Sequence, residues 1–321
     1  MTAFTNDLLC RAAFGDRFRW QDEKEKRRFY RALHEAQMLL GAFFFSDVQP
    51  WLGWIDSVTG LRGRLRKNFI DMDYFFEEVI TEHLDPMRTK PNHEDFIDVL
   101  LRSVKELDLT RDHVKGVLMD LLIGGTDSSA SVVEWAMAEL IRKPSTMKKV
   151  QEEIRRVVGN EGKVEETHLT HLQYLRFVVK ETLRLHPPTP YLIPRENKQH
   201  CRINGYDIFP KTRVIINALA VALDPDSWEN PDEFQPERFK NVDIDYTGQD
   251  FQFLPFGAGR RGCPGVIFGV MTVELALANL LYSFDWELPG GMEELSMEEL
   301  YISVVQRKNP LHLVPVKFTV H

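Results

Sequence analysis

From Thr110 to Pro144 the chain carries a helical period that no proline interrupts. Val114, Val117, Leu118, Leu121, Leu122 and Gly125 recur at three- and four-residue spacing, and Val132, Val133, Ala136, Leu140 and Ile141 continue the pattern. Thr110 followed by Arg111 and Asp112 reads as an N-cap with an acidic first turn, and Pro144 marks the stop. A helix of roughly thirty residues is about 45 Å long, enough to cross a whole domain, so the rest of the fold has to be arranged around it. A chain of 321 residues can supply the core this requires, as one large domain or two ordinary ones. No Pro/Gly/Ser-rich linker, low-complexity tract or internal repeat divides it, and a single unit is the simpler expectation.

The middle of that helix breaks helix-forming rules. Gly124 and Gly125 each cost about 1 kcal/mol relative to alanine, and Thr126, Asp127, Ser128 and Ser129 compete for backbone hydrogen bonds. A kink that relieves packing is one explanation and a functional groove is the other.

A second feature is the run Phe256-Gly257-Ala258-Gly259-Arg260-Arg261-Gly262-Cys263-Pro264-Gly265, immediately before an apolar stretch that reads as one helix from Val266 through Leu281. Nearby cations, backbone N–H donors and the positive end of a helix all favour a thiolate. Glycines at 257, 259, 262 and 265 let the backbone lie close to a flat macrocycle, so Cys263 is a candidate haem-iron ligand. Arg261 can reach a haem propionate through a charge-assisted bond. A small buried hydrophobe is the ordinary fate of a cysteine, and the local spacing argues against it here. The same letters spell G-x-G-x-x-G. The dinucleotide fingerprint, however, requires a preceding strand and an acidic residue at the end of a second one, and here Pro255 and the following helix oppose it.

The pattern F-x-x-G-x-R-x-C-x-G, met by Phe256, Gly259, Arg261, Cys263 and Gly265, resembles the haem-binding loop of the cytochrome P-450 monooxygenases. Glu181-Thr182-Leu183-Arg184 is similar to the family's E-x-x-R, and Pro236-Glu237-Arg238-Phe239 to its P-E-R-F. Gly124 through Ser129 is similar to its oxygen-activating helix motif, and the wording of Lys180–Pro188 and Tyr282–Pro289 resembles the plant A-type group. The resemblance implies a mainly α cytochrome P-450 fold with small β-sheets and a haem b (iron protoporphyrin IX) ligated by Cys263. Phe256, Gly257, Gly259, Gly265 and Arg261 would hold the haem, with Arg195 as a second propionate-binding cation and Gly125 making room for dioxygen. Asp127 and Ser128 would relay protons; Ser128 stands where the family has threonine, keeping the hydroxyl but losing the methyl that restrains χ1.

The reaction so implied inserts one oxygen atom from dioxygen into a small hydrophobic substrate such as a terpenoid or phenylpropanoid. Electrons would come from NADPH through NADPH-cytochrome P-450 reductase, at the cytosolic face of the endoplasmic reticulum membrane. Substrate contacts are expected from Leu118–Gly125, Thr189–Ile193 and the turn Tyr301–Val305. Glu181 and Arg184 can pair on one helix face, either in solvent or, as the resemblance implies, in a buried network with Arg238 that supports the Cys263 loop. Plant members read W-A-I-G-R-D-P where this chain has Leu219–Pro225, with leucines in place of the tryptophan and the arginine. The membrane anchor, proline-rich hinge and W-x-x-x-R helix of the plant group are not found, and Thr5–Arg11 looks like the middle of such an enzyme. Residues 1–321 therefore read as the C-terminal portion of a single P-450 domain, its N-terminal part missing. The alternative is a non-catalytic remnant that binds haem weakly or not at all.

Composition agrees. A net charge of −8 and the lack of a basic, aromatic-laced stripe argue against a nucleic-acid partner. Three scattered cysteines, Cys10, Cys201 and Cys263, are too few for a disulfide framework. The longest apolar run, Met38–Phe45, is far short of the roughly twenty residues of a membrane span, and the start from Met1 through Arg19 is too polar for a signal peptide. Arg202–Asp207 and Arg213–Asn217 alternate as short strands around a turn. His168 and His171 are expected to be solvated residues, His168 in a loop, because no H-E-x-x-H accompanies them.

Overall fold

The computed structural model describes residues 1–15, 23–88, 93–104, 106–290 and 295–318; the end of the polar N-terminal stretch, 16–19, lies outside them. Helices dominate, and the chain divides into two compact units, Met1–Asp127 with Tyr301–Ser303 and Ser128–Leu300 with Val304–His321. The division falls inside the long helix anticipated from the sequence.

The first unit contains α1 (Thr2–Phe14), α2 (Glu23–Leu40), α3 (Phe45–Val48), α4 (Gly53–Val58), α5 (Leu61–Leu84), α6 (Phe96–Ser103) and the first half of α7 (Arg111–Arg142). The start of α7 is fixed by a reciprocal cap. His113 N donates to Thr110 Oγ1 at 3.3 Å, and Thr110 N donates to His113 Nδ1 at 3.1 Å. Val114, Leu118 and Leu122 then enter a core with Leu9, Phe14, Phe29, Leu33, Phe76, Ile80 and Ile97. Leu118 and Leu122 are wholly buried there, which removes them from the substrate wall expected of Leu118–Gly125. At the start of α6, Asp95 caps Asp98 N at 2.9 Å and is also bound by His83 Nε2 at 3.1 Å and Arg88 at 2.9 Å. His83, Asp95 and Asp98 could be mistaken for metal ligands, but Arg88, 2.6 Å from Asp98, supplies the cation.

The second unit continues α7 and adds α8 (Pro144–Val158), α9 (Glu166–Leu169), α10 (Gln173–Leu185), α11 (Ala218–Ala222) and α12 (Val266–Ser283). Val133, Ala136 and Leu140 of α7 join Val150, Ile154, Leu175, Val178, Leu277 and Leu281 in its core. Among the described residues α12 is the one helix long and apolar enough to cross a membrane; half of it is buried, against α8, α9 and α10, as in a core helix. Short strands follow in the chain: β1 (Arg195–Glu196), β2 (Cys201–Ile203), β3 (Tyr206–Ile208), β4 (Arg213–Val214), β5 (Phe284–Glu287), β6 (Glu299–Tyr301), β7 (Val305–Arg307) and β8 (Val314–Lys317), all in this unit except the last residue of β6. They pair as β1–β4, β2–β3, β5–β8 and β6–β7, the first three antiparallel.

Two local expectations change. Arg202–Asp207 is a hairpin rather than one strand, because Asn204 (φ 47°) and Gly205 (φ 87°) supply the two left-handed residues of a tight turn. His168 lies in α9 instead of a loop, and its ring completes a capping box by accepting from Glu165 N at 3.0 Å.

Candidate metal centre

The three cysteines have different surroundings. Cys10 is buried in α1, where desolvation and the neighbouring Asp7 push its thiol up to about 12 against the pull of Lys26. It remains a thiol at neutral pH. Cys201 is exposed on β2, and Cys263 is exposed in the glycine-arginine loop.

That loop is folded by its own backbone. Gly257 N donates to Leu254 O at 3.0 Å, Gly262 N to Gly259 O at 3.0 Å, and Cys263 N to Phe256 O at 2.9 Å. Gly257 (φ 69°) and Gly259 (φ 70°) occupy left-handed conformations that side-chain-bearing residues rarely adopt. Gly265 is the N-cap of α12, and its carbonyl accepts the first helical bond from Gly269 N at 2.8 Å. The positive end of an 18-residue helix thus begins three residues after the sulfur-bearing one. Phe256 packs edge-on against Tyr246 at 5.8 Å. From β1, Arg195 donates to the Arg261 carbonyl at 3.0 Å, while the Arg261 side chain is exposed.

A supporting position that sequence reasoning missed is Gly248. With φ 82°, it sits where a Cβ would come within 2.8 Å of the Gly257 carbonyl, so the Tyr246–Gly248 turn braces the loop only because it has no side chain. Its signal in the sequence is a lone glycine after Tyr246-Thr247, too weak to single out.

Large apolar side chains are exposed on neighbouring stretches: Ile267, Phe268 and Met271 in the first turns of α12, and Tyr191 and Ile193 before β1. Leu192 is close to the loop, 3.7 Å from a Cβ built on Gly257. An accessible soft sulfur donor, flanking cations and exposed apolar faces suit a flat, largely apolar macrocycle carrying carboxylates. These residues fit a thiolate-ligated haem.

A buried polar network centres on Glu181. Arg184 is wholly buried, and it donates from Nε and Nη2 to both oxygens of Glu181 at 2.8 and 2.9 Å. Arg238 Nε reaches Glu181 at 2.9 Å, and Gln235 N reaches it at 2.7 Å. Both guanidiniums flank Trp228, at 5.4 and 5.7 Å from the ring centre. Trp228 Nε1 donates to Gln252 O at 3.3 Å, and its ring packs on Phe239 and Phe253. Trp228 was not anticipated. It connects the arginines to Gln252 and Phe253, four and three residues before Phe256. The polar network thus runs inside the core, and Ala222 of α11 takes part through its carbonyl, 2.9 Å from Arg184 Nη1.

The polar centre of α7 is only partly what the sequence suggests. A Cβ on Gly125 would fall 2.9 Å from Leu9 Cδ1, so this glycine lets α1 pack closely and does not open space for a ligand. The open position is Gly124, beside which a Cβ meets nothing within 4 Å. Thr126 Oγ1 lies 2.7 Å from both the Leu122 carbonyl and Asn6 Oδ1, and its single proton is committed to that pair. Asp127 is buried and Ser128 half-buried. In the second unit Ser129 lies against α12, 3.9 Å from a Cβ built on Gly269.

The family profile described as Cytochrome P450 matches residues 1–314. The chain belongs to the cytochrome P450 family. It is 48% identical to cytochrome P450 71A1 of Persea americana, over 97% of this chain and 64% of the relative. It is 47% identical to cytochrome P450 71A9 of Glycine max (98% and 65%) and to strychnine-11-hydroxylase of Strychnos nux-vomica (97% and 63%). The chain therefore spans just under two thirds of these P450 relatives. A zebra fish cytochrome P450 solved with abiraterone shares the fold, with a TM-score of 0.80 at 23% identity over 99% of this chain and 70% of that one. The P450 fold expected from the resemblance, mainly α with small sheets, is the one observed.

Proposed function

We propose that this chain is the thiolate-bearing C-terminal portion of a single-domain P450 monooxygenase that oxidises a small hydrophobic plant metabolite of terpenoid or phenylpropanoid type. The exposed Cys263 sulfur, held in a backbone-closed loop at the start of α12, carries the reading. Cys263 would ligate haem b, with Phe256, Gly257, Gly259 and Gly265 shaping the seat and Arg261 and Arg195 facing the propionates. When bound, the haem supplies oxygen activation and transfer of one oxygen atom to substrate, with a thiolate ligand donating electron density to promote O–O cleavage. The protein's part is to present the Cys263 sulfur beside cations and a helix N-terminus, and to move protons through Asp127 and Ser128 on α7. NADPH-cytochrome P-450 reductase would deliver the electrons at the cytosolic face of the endoplasmic reticulum membrane. The relatives' names, among them a strychnine hydroxylase, support the reaction type.

The test is a carbon-monoxide difference spectrum of the haem-loaded chain. A long-wavelength thiolate Soret band is expected, lost in Cys263→Ala and kept in Cys10→Ala and Cys201→Ala. A parent chain that takes up haem without that band, or not at all, would favour the non-catalytic remnant.

A further inference from the structure

Three segments of the second unit meet around Trp135. His186, which follows α10, stacks on the indole with ring centres 4.1 Å apart and planes 2° from parallel. Its Nε2 lies 2.8 Å from Glu139 Oε1, one turn further along α7, and its Nδ1 faces Glu299 at 3.8 Å. Arg307 of β7 approaches the same indole at 5.4 Å and donates to Ser296 O at 2.7 Å. Backbone ties complete the arrangement: Val305 N donates to Pro188 O at 2.8 Å, and Ser131 Oγ donates to Val305 O at 2.6 Å. The result is a closed frame. One side is α7 from Ser131 to Glu139, about 12 Å of helix; the second is His186-Pro187-Pro188, stiffened by its two prolines; the third is β7.

The run that leaves this frame, Thr189–Ile193, exposes Tyr191 and Ile193 and holds Leu192 at φ 50°, with Leu192 N bonded to Thr189 O at 3.0 Å. A leucine in that conformation persists only where its surroundings hold it. We propose that His186 is a positioning residue for substrate: by bonding Glu139 and stacking on Trp135 it fixes where this run departs from α10, and so sets the wall that Tyr191 and Ile193 present. The proposal rests on the monooxygenase reading above.

Two variants separate the contributions. His186→Phe keeps the stack on Trp135 and removes the bond to Glu139, whereas His186→Gln keeps a side-chain donor. In hydrogen exchange on the full chain, the Val305 and Leu192 amides should exchange roughly tenfold faster in His186→Phe, with partial recovery in His186→Gln and no change in α8. With haem bound, spectral titration with imidazole, 4-phenylimidazole and 1-octylimidazole should show the phenyl-to-octyl affinity ratio shifting by roughly tenfold in His186→Phe, and imidazole itself unmoved. Unchanged exchange at Val305 and Leu192, or acceleration throughout the unit, overturns the frame. An equal loss for all three imidazoles overturns the role in shaping the wall. A parent chain without the thiolate band sinks the monooxygenase reading instead, and the exchange result still decides the frame by itself.

Discussion

Around Arg184 every donor is spent. Its five N–H groups reach Glu181 twice and the carbonyls of Ala222, Pro231 and Glu233, with the arginine itself wholly buried. Around Cys263, in the same unit, the side chain is exposed and only the backbone is bonded. The first arrangement leaves nothing free to react and can only hold structure. The second holds a reactive atom in place while leaving it accessible. Substitutions in the two regions should therefore separate stability from chemistry.

The comparison is broken most severely at Arg184. Arg184→Ala strands the Glu181 carboxylate in the core and should cost about 3–5 kcal/mol in chemical denaturation, enough to threaten folding. A loss below about 1 kcal/mol would mean that Arg238 alone satisfies Glu181. Gly248→Ala comes next, at roughly 2 kcal/mol, from a left-handed residue and a close approach to the Gly257 carbonyl. Because that strain bears on the loop, haem affinity should fall together with stability.

Glu274 tests the same contrast by pH. Burial lifts its carboxyl to about 7 even though Arg176 and Lys180 pull it down, and Arg176 lies 3.8 Å away. An acid with a raised folded-state pKa contributes fully at pH below its unfolded value, and that contribution is lost as pH rises through about 7. Glu274→Gln should therefore raise stability by roughly 1–3 kcal/mol at pH 8 and change little at pH 4, as melting curves at the two pH values would show.

The smallest stability effects are expected at the positions proposed to take part in the chemistry. Ser128→Ala should shift unfolding by less than about 1 kcal/mol, yet lower product formed per NADPH and raise peroxide release in the reductase-supplied, haem-loaded protein. Unchanged coupling would move the relay to Ser129. Cys263→Ala, at an exposed position, should leave the unfolding midpoint of the haem-free chain within about 0.5 kcal/mol of the parent while abolishing the thiolate band. A large loss of stability there would erase the contrast with Arg184.

Much of this was legible in the chain. The capped start of α7 at Arg111, the end of α10 before Pro187 and the run of α12 from Val266 follow from period and punctuation, which are local. Gly125 was misread for an equally physical reason: a glycine in a helix looks the same whether a ligand or another helix approaches it, and only the position of Leu9 decides. Leu118 and Leu122 were assigned to a substrate wall because an apolar stripe does not say what it faces. Trp228, Gly248 and His186 escaped notice because each acts on partners 24, 9 and 47 residues away: Gln252, Gly257 and Glu139.

The sequence by itself determined α7, α10 and α12, the P450 family and the choice of Cys263 as the candidate ligand, since these depend on residues that are neighbours in the chain. Only the tertiary structure decided that Glu181 and Arg184 are buried rather than solvated, that Gly124 rather than Gly125 is open, and that His186 is locked between Glu139 and Trp135. Burial and hydrogen-bond partnership depend on which distant segments come together, and the energies that select them, several kcal/mol for a buried charge, arise only once water has been excluded.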